Sequence, residues 1–427
     1  MVNVTEYPAF MISDNSVICD GDSAMISATT PSADLFYSEY IEGSSNNKAL
    51  EIANITGNTI RVLNELDPNF IDNLQLEKKS LQMKGIVAHA ANSHKMKIDF
   101  LPLESDTDDP SCYAIPRIKL DNELMNKAKA SPLIEVIEGF NVSNLTRSEN
   151  GILIESKKQS IFTNLAIICS GSNANFIKNL HQVEKEDKHF AVGVRGYYKN
   201  VKPSEHGQYC ELYITKDLLP GGLYLTQFTD ETVNVNVVVR SDIVKKKKLN
   251  LKQILKDTLA THPLLKERFA AAEQVGKLTG SGLFLGTKKR KISGDNFMLV
   301  GDAAGLIDLL SANGIPQAML SGKIAAEFAA KCDKANDFSL TTIADYDERV
   351  FDRIKNYLKM SKFVAPFLSS NIALTILLKG MNFIAKKYDK NDQLRDLIYD
   401  HEATKKLIKP KFYYRLFFGI KNSEALG

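Results

Sequence analysis

Residues 297–322 read FMLVGDAAGLIDLLSANGIPQAMLSG. The run Phe297 to Val300 is short and unbroken by polar residues, the pattern of a strand buried on both faces of a parallel sheet. It stops at Gly301-Asp302, with Ala303 next and Gly305 as a second turn residue. A carboxylate there stands at the carboxyl end of the sheet, where open α/β folds bind ligands, and Asp302 can accept hydrogen bonds from ligand hydroxyls. Asn313 and Gly314 follow. From Ile315 the spacing is helical, with Pro316 in the first turn. That turn leaves backbone N–H groups without intrahelical partners, and they suit an anion. Ala318, Ser321, Gly322 and Ala325 are small enough to let the helix lie close on the sheet.

Outward from this stretch, strand and helix patterns alternate. Val17 to Cys19 begins like a buried strand, and DLFYSEYIEG at 34–43 predicts a second strand ending in an acid. NTIRVLNEL from Asn58 has helical spacing, and LQMKGIVAHA and HKMKIDFLP alternate as antiparallel strands do. IPRIKLDNELMNKAKAS (115–131) predicts a helix, and FTNLAIICSG another strand. From His189 to about Val275 strands and turns alternate, and a helical stretch around LKQILKDTLATHPLLKERF closes that region. After Ala335 the period is helical throughout.

The 427 residues suffice for two or three structural units. A net charge of +3 over that length is too small to argue for nucleic acid. The five cysteines are scattered, odd in number and without CxxC spacing, which fits neither a disulfide framework nor a zinc site. A reducing, cytoplasmic location is the expectation, the first twenty residues showing no secretory pattern. The seven histidines show no HExxH or paired ligand spacing, so no metal site is expected. FVAPFLSSNIALTILL (363–378) is broken by Pro366, two serines and Asn371, and so predicts peripheral membrane contact through the C-terminal helices, or packing, rather than a span.

Gly-Asp after a strand is by itself a common turn. The complete stretch resembles the ribityl-binding motif of the para-hydroxybenzoate hydroxylase and geranylgeranyl reductase family of flavoproteins. By that resemblance Gly301, Asp302, Ala303, Gly305, Asn313, Gly314 and Ile315 hold FAD, with Asp302 on the ribityl hydroxyls. Leu309 stands where the family has proline and Ala312 where it has the first glycine of the turn. YAIPRIKLDNELMNKA resembles the family segment in which an arginine precedes Leu-Asp and a helix, so Arg117 joins the cofactor residues and Asp121 is its companion. FTNLAIICSGSNANF resembles the strand that ends in Asp-Gly, with Ser170 replacing the aspartate. LLPGGLYLTQFTDETVNVNVVV resembles the reductase hairpin, without its tryptophan.

At the N-terminus the family carries G-x-G-x-x-G, which lets a pyrophosphate approach the first helix. The corresponding residues are Cys19-Asp20-Gly21-Asp22-Ser23-Ala24, of which only Gly21 matches. Asp20 and Asp22 place two carboxylates where the pyrophosphate would sit, a juxtaposition that is costly unless compensated. Glu42 is at the distance expected for the acid that binds the adenosine ribose, although a turn role explains it equally well. Thr56-Gly57 replaces the Cys-Gly of many reductases in the family. Three readings fit: a divergent FAD site, a relative that has lost the cofactor, and an altered reading frame over the N-terminal segment.

The resemblance implies an α/β fold: an FAD/NAD(P)-binding Rossmann-like domain (1–70, 112–185 and 285–335), an inserted antiparallel-sheet substrate domain (71–111 and 186–284) and a C-terminal helical region (336–427). It implies an FAD-dependent oxidoreductase that passes a hydride to an alkene of an isoprenoid or similar lipid, with NAD(P)H a candidate electron donor. A flavin-dependent hydroxylase and a cofactor-free lipid-binding or scaffold relative are the alternatives. Arg195, Tyr197 and Tyr198 in VRGYY fit either a substrate cavity or ordinary strand packing.

Overall fold

The computed structural model describes residues 25–28, 34–36, 52–67, 69–70, 81–90, 95–99, 112–138, 140–172, 180–181, 186–215, 217–227, 232–308, 314–364, 372–373 and 375. The Phe297–Leu299 run forms a strand lying parallel to Ala166–Ile168, which in turn lies parallel to Asp34–Phe36. Ser293–Gly294 pairs antiparallel at the edge. Phe297 to Val300 are each at most 1% exposed, as the two-sided burial of a parallel sheet requires.

This sheet needs cover on its faces, and the periodic helices supply it. Met319, Ala325 and Phe328 of helix Ile315–Ala335, Ile60 and Leu63 of helix Gly57–Leu66, and Leu120 of helix Arg117–Ala130 join Ile167 and Met298 in one core. The Ile315–Ala335 helix stops at Asn336, which adopts left-handed backbone (φ 49°) while its N–H and that of Asp337 return to Asp333 and Cys332 carbonyls. Helix Tyr346–Val364 packs on the same core through Val350, Phe351 and Ile354. Tyr346 is wholly buried and donates to the Leu299 carbonyl at 2.8 Å. The first part of the C-terminal helical region therefore covers the parallel sheet. Most of segment 363–378 lies outside the described residues, among which no helix is long and apolar enough to cross a membrane.

A seven-stranded sheet forms a second layer, ordered Glu273–Phe284, Phe190–Lys199, Val233–Arg240, Gly221–Gln227, Tyr209–Ile214, Gly85–Ala90, Lys95–Asp99. The alternation expected to be antiparallel is so at every pair but one: Tyr209–Ile214 runs parallel to Gly85–Ala90. Those two strands are more than a hundred residues apart, so no hairpin imposes their direction.

The strand VNVNVVVR shows how the pattern orients the sheet. Val233, Val235, Val237 and Val239 all face one side and pack with Leu251, Leu255 and Leu259 of helix Leu251–Thr261. Asn234, Asn236 and Val238 point to the other side. The covering helix is opened by Asn250, whose side chain accepts from the Gln253 N–H at 3.2 Å, and it ends before Pro263 rather than running on through HPLLKERF.

Candidate functional site

At the end of strand Phe297–Leu299 the chain makes a single tight turn, Gly301–Ala304, closed by the Gly305 N–H donating to the Asp302 carbonyl at 3.0 Å. Gly301 (φ 60°) and Gly305 (φ 68°) both occupy the left-handed region, so glycine is the residue type that turns here without strain. Asp302 is 3% exposed. The turn is clamped to the helix that follows it: the Gly301 N–H donates to Ser321 Oγ at 3.1 Å, while Ser321 donates to the Gln317 carbonyl at 2.8 Å. Small residues make the approach possible. A methyl group on Gly301 would meet the Ala318 methyl at 3.0 Å, and one on Gly314 would sit 2.6 Å from Asp302 Oδ1. The carboxylate thus lies against the glycine that opens the Ile315–Ala335 helix, at the end where the peptide dipoles favour negative charge.

A second junction of the same core carries Arg117. Strand Cys112–Pro116 runs directly into helix Arg117–Ala130, and Arg117 Nε donates to Asp121 Oδ1 at 2.6 Å. Asp121 pairs with that buried guanidinium one helical turn back and does not cap the helix. The Ala166–Ile168 strand leads to Ser170, 1% exposed, and Gly171 (φ 62°). Since the Val300 N–H donates to the Ile168 carbonyl, this end lies beside the Asp302 turn at the carboxyl edge of the sheet.

Beyond Gly305 the chain leaves the parallel sheet and meets the seven-stranded one. Ile307 forms a parallel bridge with Leu285 and packs with Ala191, Leu283 and Val238 on the face that Asn234 and Asn236 share. Asp308, 9% exposed, follows. Burial raises the Tyr224 phenol well above its ordinary value, and the neighbouring Cys210 and Asp308 push it the same way. On the opposite side of the turn Arg290 lies 2.9 Å from where a Gly305 methyl group would be and donates to the Leu285 carbonyl at 3.2 Å. Burial lowers its pKa. The turn that carries Asp302 therefore leads directly to the inner face of a mixed sheet.

Of the residues singled out from sequence, Gly301, Asp302, Ala303, Gly305, Gly314 and Ile315 come together in this one turn and helix start, and Arg117 stands at the neighbouring junction. Asn313, Gly21 and Glu42 lie outside the described residues.

No family model matches the chain. It is 24% identical over 334 residues to Protein FixC of Salmonella typhi, covering 73% of this chain and 76% of that protein. It is 34% identical over 149 residues to a digeranylgeranylglycerophospholipid reductase of Methanocaldococcus jannaschii, covering 35% and 36%. In fold it is similar to a geranylgeranyl bacteriochlorophyll reductase-like protein of Thermoplasma acidophilum, with a TM-score of 0.60, 18% identity and coverage of 71% and 76%. In sequence and in fold the chain is therefore similar to geranylgeranyl reductase-like flavoproteins.

Around the turn, four groups shape the site in ways that sequence reading did not assign. Ser321, of the Ser321-Gly322 pair in helix Ile315–Ala335, is not only small but clamps the turn. Arg290 carried no motif, whereas Asp308 lies within the 297–322 stretch itself. Asn234 and Asn236 did carry a signal: asparagine recurring at every second place of a strand otherwise made of valine. The histidines expected to be scattered are partly gathered. His89 stacks on Tyr213 with centroids 4.5 Å apart, and His206 and His262 lie close by. Tyr213 also donates to buried Glu211 at 2.6 Å, and Arg268 donates to both Glu211 oxygens at 2.9 and 3.0 Å. Burial depresses His89 to about 4. This cluster occupies the helix-covered face of the seven-stranded sheet, turned away from Asp302.

Proposed function

We propose that this protein is an FAD-dependent oxidoreductase that reduces alkene bonds of an isoprenoid or similar lipid, with NAD(P)H as the electron donor. The observation that carries the reading is the Asp302 cradle: a buried carboxylate pressed against a bare glycine at a helix start, with backbone in place of side chains on either side. Those features suit the ribityl and ring half of FAD. Asp302 would accept from the ribityl hydroxyls, and the first turn of helix Ile315–Ala335 would face the ring with its positive end. When bound and reduced, FAD supplies a hydride.

The protein's own contribution is positioning and exclusion of water. Ile307, Leu285, Leu283 and Ala191 form a buried apolar contact just beyond the turn, each at most 8% exposed. Low polarity there strengthens electrostatic interactions inside the site and protects a reduced cofactor from side reactions. Collection of a lipid substrate by peripheral membrane contact would fall to the lysine-flanked apolar segment that begins at Phe363.

The test is the purified protein. Bound flavin gives it a yellow colour, and Asp302→Ala is expected to lower flavin occupancy at least about tenfold, the loss of more than one charge-assisted hydrogen bond. A protein that stays colourless after refolding with excess FAD would overturn the reading, as would unchanged occupancy in Asp302→Ala.

A further inference from the structure

The inner face of the seven-stranded sheet, the one that meets Ile307, carries polar residues in register. Thr226 pairs directly with Asn234, and Asn234 with Tyr197, so three neighbouring strands contribute one polar rung. Two residues along, Tyr224 pairs with Asn236, and Asn236 with Arg195, giving a second rung. Directly paired residues of antiparallel strands share a face. Each rung spans about 10 Å across the strands, and the rungs are about 7 Å apart along them. Val238, the next inner-face residue after Asn236 and about 7 Å along the strand from it, touches the Ile307 cluster.

The first rung is withdrawn from water, and the second is half-buried. Tyr197, Thr226 and Asn234 are 2%, 3% and 6% exposed, and Asn234 Oδ1 accepts no hydrogen bond from the described residues. A buried amide oxygen left without a donor costs about 1–3 kcal/mol. The same strand shows what packing alone selects: on its other face every position is valine. Two asparagines flanked by a phenol and a hydroxyl are a poor lining for a bare hydrocarbon and a good one for oxygen.

Resting on the flavoprotein oxidoreductase reading above, we infer that this two-rung ladder is the substrate-recognition wall and that it takes a substrate bearing a hydroxyl or carbonyl group close to its reacting carbons. The reactive end of the substrate is oxygenated, and any long apolar tail extends away from the rungs. Asn234 and Asn236 are specificity-determining residues, and Tyr224 donates from the neighbouring strand.

The experiment compares two probes of one carbon skeleton, geraniol and 2,6-dimethyl-2,6-octadiene, which differ by a single hydroxyl. Binding to the protein purified with FAD is read by titration calorimetry, and flavin content by visible absorbance. An apolar wall prefers the diene, because a buried hydroxyl without a partner is penalised. The ladder predicts that geraniol binds at least about tenfold tighter, and that Asn234→Val/Asn236→Val reverses the order. Tyr224→Phe, which removes one oxygen and preserves shape, is expected to narrow the preference by about fivefold in a protein that remains folded. Equal or tighter binding of the diene to the unsubstituted protein overturns the inference, as does a geraniol preference that survives the double substitution. The flavin reading fails separately: a colourless protein that still prefers geraniol refutes the cofactor assignment and supports the ladder.

Discussion

Replacing Gly314 by alanine tests the cradle without touching any charged group. Gly314 has φ −108° and ψ −17°, which alanine adopts without strain, so the effect is steric alone. The new methyl group would lie 2.6 Å from Asp302 Oδ1 and 3.4 Å from Ile307 Cγ1. Ile307 is at ordinary contact distance, so the carboxylate must give way, by about 0.8 Å, in a region already packed to interior density. Overpacking of that size costs about 1–3 kcal/mol, which corresponds to roughly 5- to 160-fold weaker binding of a ligand held by the carboxylate. The dissociation constant of FAD, measured by quenching of its fluorescence, is expected to rise by that factor, while urea unfolding shows a protein that still folds cooperatively. Gly280→Ala is the control: its methyl group would meet only the Gly193 carbonyl, at 3.7 Å, and FAD affinity should not change. A Gly314→Ala protein with unaltered FAD affinity would refute the placement of the flavin beside Asp302.

Three further outcomes follow from buried polar contacts. His89 has a folded-state pKa of about 4 because burial disfavours its charged form. Its neutral ring therefore contributes stability that is fully present above the unfolded value of 6.5 and is lost as pH falls from there toward about 4. Of the stability lost in urea unfolding between about pH 7.5 and about pH 5, His89 should account for about 2 kcal/mol, so His89→Phe is expected to lose about that much less over the same range; equal pH dependence in the two proteins would count against the burial effect. Arg268→Leu strands the Glu211 carboxylate in the interior and is expected to cost about 3–5 kcal/mol, with much of that recovered in Arg268→Leu/Glu211→Leu. If the double variant is no better than the single, the pair does not act as a unit. Tyr346→Phe removes the hydroxyl that bonds the Leu299 carbonyl and should lower stability by about 1–2 kcal/mol at unchanged denaturant slope, whereas no loss would mean that helix Tyr346–Val364 is held by packing alone.

The sequence by itself determined the parallel strand, its glycine turn and the helix after it, because each rests on local chemistry. Two-sided burial shows as an unbroken apolar run, left-handed backbone shows as Gly301 and Gly305, and a helix start shows as Gly314-Ile315-Pro316. Helices Gly57–Leu66 and Arg117–Ala130 were legible for the same reason, since their period is contained in their own residues. What faces the turn was not legible. The contact of Ile307 with Val238 and Ala191 joins residues far apart in the chain, and no local pattern encodes it. The parallel pairing of Gly85–Ala90 with Tyr209–Ile214 and the burial of His89 beside Glu211 have the same origin. The alternation of valine and asparagine in strand Val233–Arg240 announced two unlike faces. Only the tertiary structure decided that the valines take the helix and the asparagines take the side of Asp302, because a strand's period of two defines faces without saying what each will meet.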